Sequence, residues 1–378
     1  MLTFFYRIPA FFAIVAVCSW SVLFADGEWR TLNGPRRTLA SFDVSASDHS
    51  IAYTADILHL MKTTDGGDEW FTTVAGIDSP LVVSANPLNS DRVIAANRET
   101  LFVSLGGGDQ WNSVSTTYPL RLTRSQNDPS KIWLGRKYKE GETSLLRLDD
   151  EGQVIIPIPY FRDSVKTNIT DIAIRDGDDN EVWVTGTSEG KADKNGIWHS
   201  MNALDPDPQW EFIPVTGNLR EPYFNSVAML PDARVLASTS KGEIYRRIND
   251  GSNLWRKVLT KKVTKSPILT VRRVNGSTLV ATTEKGLYLS SSDGDSATWQ
   301  KINDGTNVLS QKYTVYYNLS VDPADATIWY LSTSRGVYKT ADNGVHWIER
   351  GAYTLTVPST NVSAGTGNVF SMTSVKKT

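Results

Sequence analysis

The chain has 378 residues, a formal net charge of −2, 21% charged residues and 40% hydrophobic residues, which is an ordinary globular composition. Because neither sign of charge dominates, strong binding to nucleic acid or to anionic membranes has no electrostatic basis. The 12 Trp, 14 Tyr, 12 Phe and 27 Gly, together with short runs of Val, Ile and Thr, favour strands over helices.

The chain begins with a hydrophobic segment. One basic residue, Arg7, precedes an uncharged run that ends at Ala25, a plausible cleavage residue. This pattern predicts a secretory signal peptide over residues 1–25, with an uncleaved membrane anchor as the alternative. Cys18, the single cysteine, lies in this segment, so the mature chain would contain no disulfide. We expect a secreted or periplasmic protein in which residues 26–378 form one domain.

A tight polar turn followed by a tryptophan recurs along the chain. The copies are "TTDGGDEW" (63–70), "SLGGGDQW" (104–111), a degenerate one ending in "DPDPQW" (205–210), "RINDGSNLW" (247–255), "SSDGDSATW" (291–299) and "TADNGVHW" (340–347). Each copy follows one short apolar strand and precedes another, so each predicts a hairpin. The tryptophans that mark these hairpins are Trp70, Trp111, Trp210, Trp255, Trp299 and Trp347.

A second pattern, strand–polar turn–strand, precedes each hairpin, as in "LVVSANPLNSDRVIAAN" (81–97). Together the two patterns make seven units of four strands; the third unit has "RLDDEGQVIIPI" (147–158) instead of a turn with tryptophan. A four-stranded unit cannot bury both of its faces alone, so such repeats predict an all-β, seven-bladed β-propeller. Segments 27–34 and 368–375 resemble extra strands. One of them would close the ring, or both would form a partial eighth blade.

The S/T-x-D-x-G-x-x-W pattern resembles the Asp-box, or bacterial neuraminidase repeat, of a superfamily of β-propellers. Asp–Pro turns at Asp128–Pro129 and Asp322–Pro323 also resemble those of sortilin-like and xyloglucanase-like propellers. The resemblance covers nearly the whole mature chain and implies architecture rather than function. It implies that the box lies between the third and fourth strands, on the face opposite the usual ligand face.

The resemblance also gives the turns a structural role. In this interpretation the box aspartates Asp65, Asp293 and Asp342 tie the turn, glycine permits it, and tryptophan packs under the blade edge. These aspartates are therefore poor catalytic candidates.

A sialidase-like site is one enzymatic alternative, because "FYRIP" (5–9) looks like the sialidase motif whose arginine holds a carboxylate. Such a site needs three convergent arginines. Arg121, Arg136 and Arg272 are available, although none stands in a recognisable family context. The segment is better explained as part of a signal peptide, and seven units exceed the six blades of sialidases.

A xyloglucanase-like glycoside hydrolase is the second enzymatic alternative. Asp43 and Asp171 lie on predicted inner strands and would face the channel as a pair of carboxylates. The resemblance weakens this alternative, since those enzymes form their cleft between two propellers and this chain has one. The four histidines are dispersed, so we predict no metal site and no cofactor.

The remaining class is a binding module. Two loops between second and third strands are enlarged, at 135–144 and 186–196, and they belong to adjacent blades. Blade connections 157–168 and 216–224 should stand beside them and add aromatic and arginine side chains, which interfaces favour. The predicted binding residues are Arg136, Tyr138, Tyr160, Phe161, Arg162, Lys191, Arg220 and Tyr223. We therefore predict a non-enzymatic, monomeric propeller that binds a protein or glycan through this face.

Overall fold

The computed structural model of this protein describes most of the chain between Ser41 and Arg350, and the backbone of two strands outside it. The described residues are 28–31, 41–45, 47–55, 59–73, 77, 81–116, 118–149, 152–187, 195–213, 223–248, 254–302, 314–350 and 352–356. The predicted signal peptide, residues 1–25, lies outside the described residues. No helix in the described part of the chain is long and apolar enough to cross a membrane.

Seven sheets of four consecutive antiparallel strands form the blades of a propeller, which confirms the predicted fold. The innermost strands, in blades 1 to 7, are Ser41–Val44, Val82–Asn86, Pro119–Arg124, Asn168–Arg175, Phe224–Met229, Ile268–Asn275 and Tyr316–Val321. The second strands are Ala52–Ala55, Asn89–Ala96, Ile132–Arg136, Asp178–Thr187, Val235–Thr239, Thr278–Thr283 and Trp329–Thr333.

The third and fourth strands complete each blade from the centre outwards. The third strands are Leu60–Thr63, Thr100–Ser104, Leu145–Asp149, Gly196–Ser200, Ile244–Arg247, Gly286–Ser290 and Val337–Thr340. The outermost strands are Glu69–Thr72, Asn112–Ser115, Val154–Pro157, Glu211–Ile213, Trp255–Leu259, Gln300–Lys301 and Ile348–Arg350. The described part of the chain contains two short helices, Tyr160–Asp163 between blades 3 and 4 and Lys261–Thr264 between blades 5 and 6.

Blade 1 carries two additional strands on its outer edge. Ala352–Thr356 pairs in parallel with Glu69–Thr72, and Glu28–Thr31 pairs antiparallel with Ala352–Thr356. The strand predicted within 27–34 therefore forms, but it extends blade 1 rather than an eighth blade. The segment 368–375, which was also predicted to be a strand, lies outside the described residues.

The core lies between neighbouring blades. Ile94 and Leu101 of blade 2, for example, pack in one cluster with Leu122 and Leu134 of blade 3. Since both faces of each sheet are covered in this way, the second strands are buried over most of their length, as in Ile132–Arg136 and Val235–Thr239. Burial of each aliphatic side chain contributes roughly 1.5–3 kcal/mol. Blades 7 and 1 close the ring by the same packing, with the ring centroids of Phe42 and Tyr330 5.0 Å apart.

The propeller has two chemically different faces. On the first, which we call the clip face, the turn between the third and fourth strands lies against the turn between the first and second. The Gly66 amide, for example, donates to the Ser50 carbonyl at 2.9 Å. On the second, the loop face, turns between the second and third strands contact the blade-to-blade connections. There the Ser240 amide donates to the Tyr223 carbonyl at 2.8 Å.

In blades 1, 2, 6 and 7 the tryptophan turn on the clip face is a hydrogen-bonded clip, in which the indole N–H donates to a carbonyl of the same turn. In blade 1 the Thr63 hydroxyl donates to Asp65 at 2.7 Å, and the Asp65 carboxylate accepts the Glu69 amide at 2.9 Å. The Trp70 indole N–H donates to the Gly67 carbonyl at 3.1 Å. Gly67 has a φ of 99°, which L side chains rarely adopt, so glycine is required in this turn.

Blade 7 repeats the clip of blade 1, whereas other blades modify it. Asp342 and Trp347 make the same contacts in blade 7. In blade 6, Trp299 bonds to a glycine carbonyl, but Asp293 forms an ion pair with Arg234 of blade 5 at 2.8 Å. The interpretation that Asp293 ties its own turn is therefore wrong, because a neighbouring cation binds its carboxylate.

Candidate functional site

A polar cavity lies in the central channel. Its volume is about 470 Å³, and the innermost strands of all seven blades line it. Pro87, Gln126 and Pro323, which belong to turns on the clip face, also line the cavity, so it extends to that face. The ionisable side chains in its wall are Asp43, Arg121, Arg124, Arg175, Asp176, Arg272, Arg273 and Asp322.

Asp171 lies behind this wall, at the centre of a charged cluster. Its carboxylate contacts Arg121 Nε at 2.8 Å and Arg272 Nη1 at 3.0 Å. The Ser226 hydroxyl donates to it at 2.5 Å and the Val227 amide at 3.1 Å. Burial raises the pKa of Asp171, whereas Arg121 and the hydrogen bonds act in the opposite direction. Asp171 is 1% exposed, and its carboxylate is held by two guanidinium groups, one hydroxyl and one backbone amide.

Asp43, the other predicted carboxylate, lines the cavity itself. Its two oxygens accept the amides of Val44 at 3.1 Å and Ala85 at 2.9 Å. Burial raises the pKa of Asp43 to about 6, although these hydrogen bonds and the charge of Arg124 oppose the rise. Asp43 therefore changes its charge close to neutral pH, as a general acid or base requires.

The channel does not present the two aspartates as an accessible pair, because Asp43 lines the cavity and Asp171 does not. Nor do the three arginines considered for a ligand carboxylate converge on one open site. Arg121 and Arg272 bind Asp171, the protein's own carboxylate. Arg136 is buried near the loop face, where its guanidinium donates to the Thr143 carbonyl and pairs with Glu142.

On the loop face, the predicted binding residues divide into buried and exposed groups. Phe161 is fully buried, with its ring centroid 5.9 Å from that of Trp198 and 5.0 Å from that of Trp210. In this structure Phe161 and Arg136 are packing residues, so neither belongs to an exposed surface. Sequence reasoning placed them there because it had located the loops but not the direction of each side chain.

The other predicted residues remain nearer the surface. Tyr223 is 44% exposed and Arg162 is exposed, while Tyr138 and Tyr160 are half-buried. Burial raises the pKa of Tyr160. The two remaining predicted residues, Lys191 and Arg220, lie outside the described residues.

Two exposed residues of the loop face were missed by sequence reasoning. Tyr118 is 46% exposed and Leu120 is 41% exposed, where the chain enters blade 3. The available signal was the dipeptide Tyr118–Pro119, since a residue before proline is conformationally restricted. Tyr118 adjoins predicted residues, because its carbonyl accepts the Lys137 amide at 2.8 Å and Tyr138 follows Lys137.

The described residues contain no group of three or more His, Cys, Asp or Glu side chains that could hold a metal ion. Asp176 and Asp322, which line the cavity, are instead paired with Arg273 and His49. The first pair joins blades 4 and 6 across the channel, and the second joins blades 1 and 7.

No known family model matches the chain, and no curated protein matches it either. Solved structures with the same fold do exist. YCF48 bound to D1 peptide is 15% identical with a TM-score of 0.60, over 83% of this chain and 96% of that one. At this identity the similarity establishes the fold alone.

Two further structures are similar over part of their length. The GH74 xyloglucanase from Xanthomonas campestris is 14% identical with a TM-score of 0.64, over 86% of this chain and 55% of that one. The extracellular domain of the putative one-component system BT4673 from B. thetaiotaomicron is 16% identical with a TM-score of 0.60, over 82% of this chain and 39% of that one. This chain thus spans about half of the enzyme and less of BT4673.

Proposed function

We propose that this protein is a non-enzymatic propeller outside the cytoplasm that binds a protein or peptide through its loop face. The observation that carries the proposal is that Asp171 is buried and paired with two arginines. A catalytic carboxylate must touch its substrate, but Asp171 is 1% exposed and held by two guanidinium groups. The loop face, in contrast, offers exposed tyrosine, leucine and basic side chains, which suit an interface.

Two of the similar structures support this proposal. YCF48, matched over 96% of its chain, was solved with a peptide, and the matched part of BT4673 is described as an extracellular domain. Residues 1–25 are proposed as a cleaved signal peptide, in agreement with such a location. The hydrogen-bonded clips of blades 1 and 7 support membership of the Asp-box class of propellers.

A glycoside hydrolase is the second candidate, and Asp43 favours it. This carboxyl lines the cavity and has a pKa raised to about 6, as a general acid needs. Most glycoside hydrolases require a second carboxylate across the scissile bond. Asp171, the partner predicted from the sequence, is excluded from the cavity wall.

A panel of fluorogenic glycosides that includes a sialoside, combined with affinity capture on the secreted protein, separates the two functions. We expect no turnover and retention of a protein or peptide that wild type and Asp43→Asn bind equally. Turnover that disappears in Asp43→Asn would establish the hydrolase and reject the binding proposal. Capture of glycans alone would keep a binding function but reject a protein ligand.

Shortening the loop 186–196 tests the placement on the loop face. We expect weaker binding in this variant and unchanged binding when Leu88, which is exposed on the clip face, is replaced by serine. Equal binding by the shortened variant and wild type would refute the placement of the ligand at blades 3 and 4.

A further inference from the structure

Tyr118 adopts an unfavourable backbone conformation and is 46% exposed. Its φ of 41° lies in the left-handed region, which is rare for a bulky residue, and the following Pro119 disfavours helical backbone conformations further. Two hydrogen bonds hold it there, one from the Tyr118 amide to the Arg98 carbonyl at 2.7 Å and one from the Lys137 amide to the Tyr118 carbonyl at 2.8 Å. Strain maintained by its surroundings occurs frequently at binding sites.

Leu120 is an independent second observation. In five blades the innermost strand has a bulge at the loop face, where one residue is skipped in the pairing with the second strand. In blades 4 and 5 the skipped residues Thr170 and Asn225 donate to a carbonyl of the next blade, each at 2.7 Å. In blade 3 the skipped residue is Leu120, which has no side-chain donor and is 41% exposed, whereas Leu269, at the same position of blade 6, is half-buried. Bulges re-aim side chains, and this one presents an apolar side chain to solvent.

The residues around these two are contiguous and carry positive charge. Both residues hydrogen-bonded to the Tyr118 backbone, Arg98 and Lys137, have exposed cationic side chains. The adjacent Tyr138 is tied to blade 4 by a hydrogen bond from its amide to the Asn168 side chain at 2.8 Å. We call these five residues, Arg98, Tyr118, Leu120, Lys137 and Tyr138, the Tyr118 patch.

We propose that the Tyr118 patch binds an extended acidic peptide segment that places one apolar side chain against Tyr118 and Leu120. This inference rests on the proposed binding function and names its anchor residues and the chemistry of its ligand. Aromatic and aliphatic anchors supply most of the affinity in protein interfaces, and basic residues beside them select an acidic partner.

The size of the patch argues for a peptide segment rather than a second copy of this protein. A stable interface between folded proteins buries roughly 800 Å² on each partner, which five residues cannot provide. Glu99, an exposed neighbour of Arg98, marks the limit of the positively charged area.

Selection from a phage-displayed random-peptide library, with the secreted wild-type protein as bait, tests the ligand chemistry. We expect enrichment of sequences in which acidic residues flank one large apolar residue. Enrichment of basic sequences, or of acidic ones without an apolar residue, would overturn the inference while leaving the binding function intact. If no peptide is enriched, the inference fails, and affinity capture of a folded protein would show whether the binding function stands.

Variants of Tyr118 and Leu120 test the location, with a labelled selected peptide measured by fluorescence anisotropy. Tyr118→Gly relieves the backbone strain and removes the ring, so it should melt at the wild-type temperature or above and bind about tenfold more weakly. Asparagine also tolerates the left-handed region, so Tyr118→Asn should show the same melting temperature and the same weaker binding as Tyr118→Gly. A purely structural role predicts instead lower melting temperature and unchanged affinity in the folded fraction.

Leu120→Ser completes the test, because it alters an exposed side chain. We expect weaker binding at an unchanged melting temperature. The matched control is Leu88→Ser, an exposed leucine of the clip face, which should bind like wild type. Wild-type affinity in both Tyr118→Gly and Leu120→Ser would overturn the inference.

Discussion

The clip face and the loop face of this propeller are built on different plans. On the clip face blades 1 and 7 make the same set of hydrogen bonds, from Thr63 to Asp65 and from Thr340 to Asp342. Basic residues of third strands then join neighbouring blades on this face. Lys62 donates to the Gly107 carbonyl of the next blade at 2.7 Å, as Lys339 does to Gly66 across the ring closure at 3.3 Å.

The loop face also repeats backbone contacts, such as the hydrogen bonds to the Tyr118 and Tyr223 carbonyls, but its side chains differ from blade to blade. The connection between blades 3 and 4 buries Phe161, whereas the connection between blades 2 and 3 leaves Tyr118 exposed. The bulged position holds Thr170 in blade 4 but Leu120 in blade 3. Contacts that every blade needs are repeated, because each blade must attach to the next. Side chains that do not attach one blade to the next can differ between blades. The loop face carries such side chains, so a ligand site can form there on some blades and not on others.

The largest expected effect separates the two faces directly. Trp70 is fully buried and its indole is hydrogen-bonded in the clip, so Trp70→Ala should lower the free energy of unfolding by roughly 3–5 kcal/mol. Tyr223→Ala on the loop face should change it by no more than about 0.5 kcal/mol. Urea denaturation of both variants measures the difference; equal effects would show that the distinction between the faces is wrong.

The second largest expected change in stability concerns Asp171 and the two arginines that bind it. Asp171→Asn leaves Arg121 and Arg272 without their shared anion and should cost about 3 kcal/mol of unfolding free energy. Asp176→Asn is the matched control, because Asp176 is half-exposed and pairs with Arg273 at the clip-face end of the same channel. It should cost no more than about 1 kcal/mol. A neutral Asp171→Asn would contradict a structural role for the cluster.

A modified clip offers a finer test. In blade 4 Asn202 takes the position that Asp65 and Asp342 have in blades 1 and 7: its side-chain oxygen accepts from Ser200 at 3.2 Å and from the Gln209 amide at 2.8 Å. Asn202→Ala should therefore lower the free energy of unfolding by about 1 kcal/mol. Met201→Ala, at the exposed neighbouring position, should be nearly neutral in the same denaturation experiment. Equal stabilities of Asn202→Ala and Met201→Ala would mean that the degenerate turn of blade 4 does not act as a clip.

The smallest effect is a pH dependence from Asp43. Its folded-state pKa of about 6 lies above the ordinary value of 3.8, so the folded protein takes up a proton more readily than the unfolded chain. This term therefore raises stability as the pH falls from 7 to 5, by about 1 kcal/mol. Asp43→Asn should remove the rise. Denaturation at both pH values measures it, and a wild-type rise that persists in Asp43→Asn would assign it elsewhere.

The pH interval of that experiment lies above the ordinary pKa of Glu181, whose contribution to stability changes with pH in the opposite direction. Burial raises the pKa of Glu181, but the nearby His199 ring and the hydrogen bonds from Trp183 and Arg175 outweigh it and lower this pKa to about 2. Its contribution to stability is complete above its ordinary pKa of 4.5 and is lost only as the pH falls below that value. Between pH 5 and 7 the contribution of Asp43 to the free energy of unfolding can therefore be measured without interference from Glu181.

The sequence by itself determined the architecture of this protein. A four-strand pattern repeated seven times requires neighbouring blades to bury both faces of each sheet, and the propeller follows. The repeated tryptophans likewise predicted the hairpins, and Trp70 and Trp347 are buried in clips as expected. Repetition makes such inferences robust, because each copy supports the same local structure.

Tertiary structure decided what the charged and aromatic side chains do. Asp43 and Asp171 were equivalent on predicted inner strands, yet one lines the cavity and the other is bound by Arg121 and Arg272. These partners come from other blades, 50 and 101 positions away along the chain (171 − 121 and 272 − 171). Side-chain direction in irregular loops likewise depends on packing between blades, and for that reason the sequence could not distinguish buried Phe161 from exposed Tyr118.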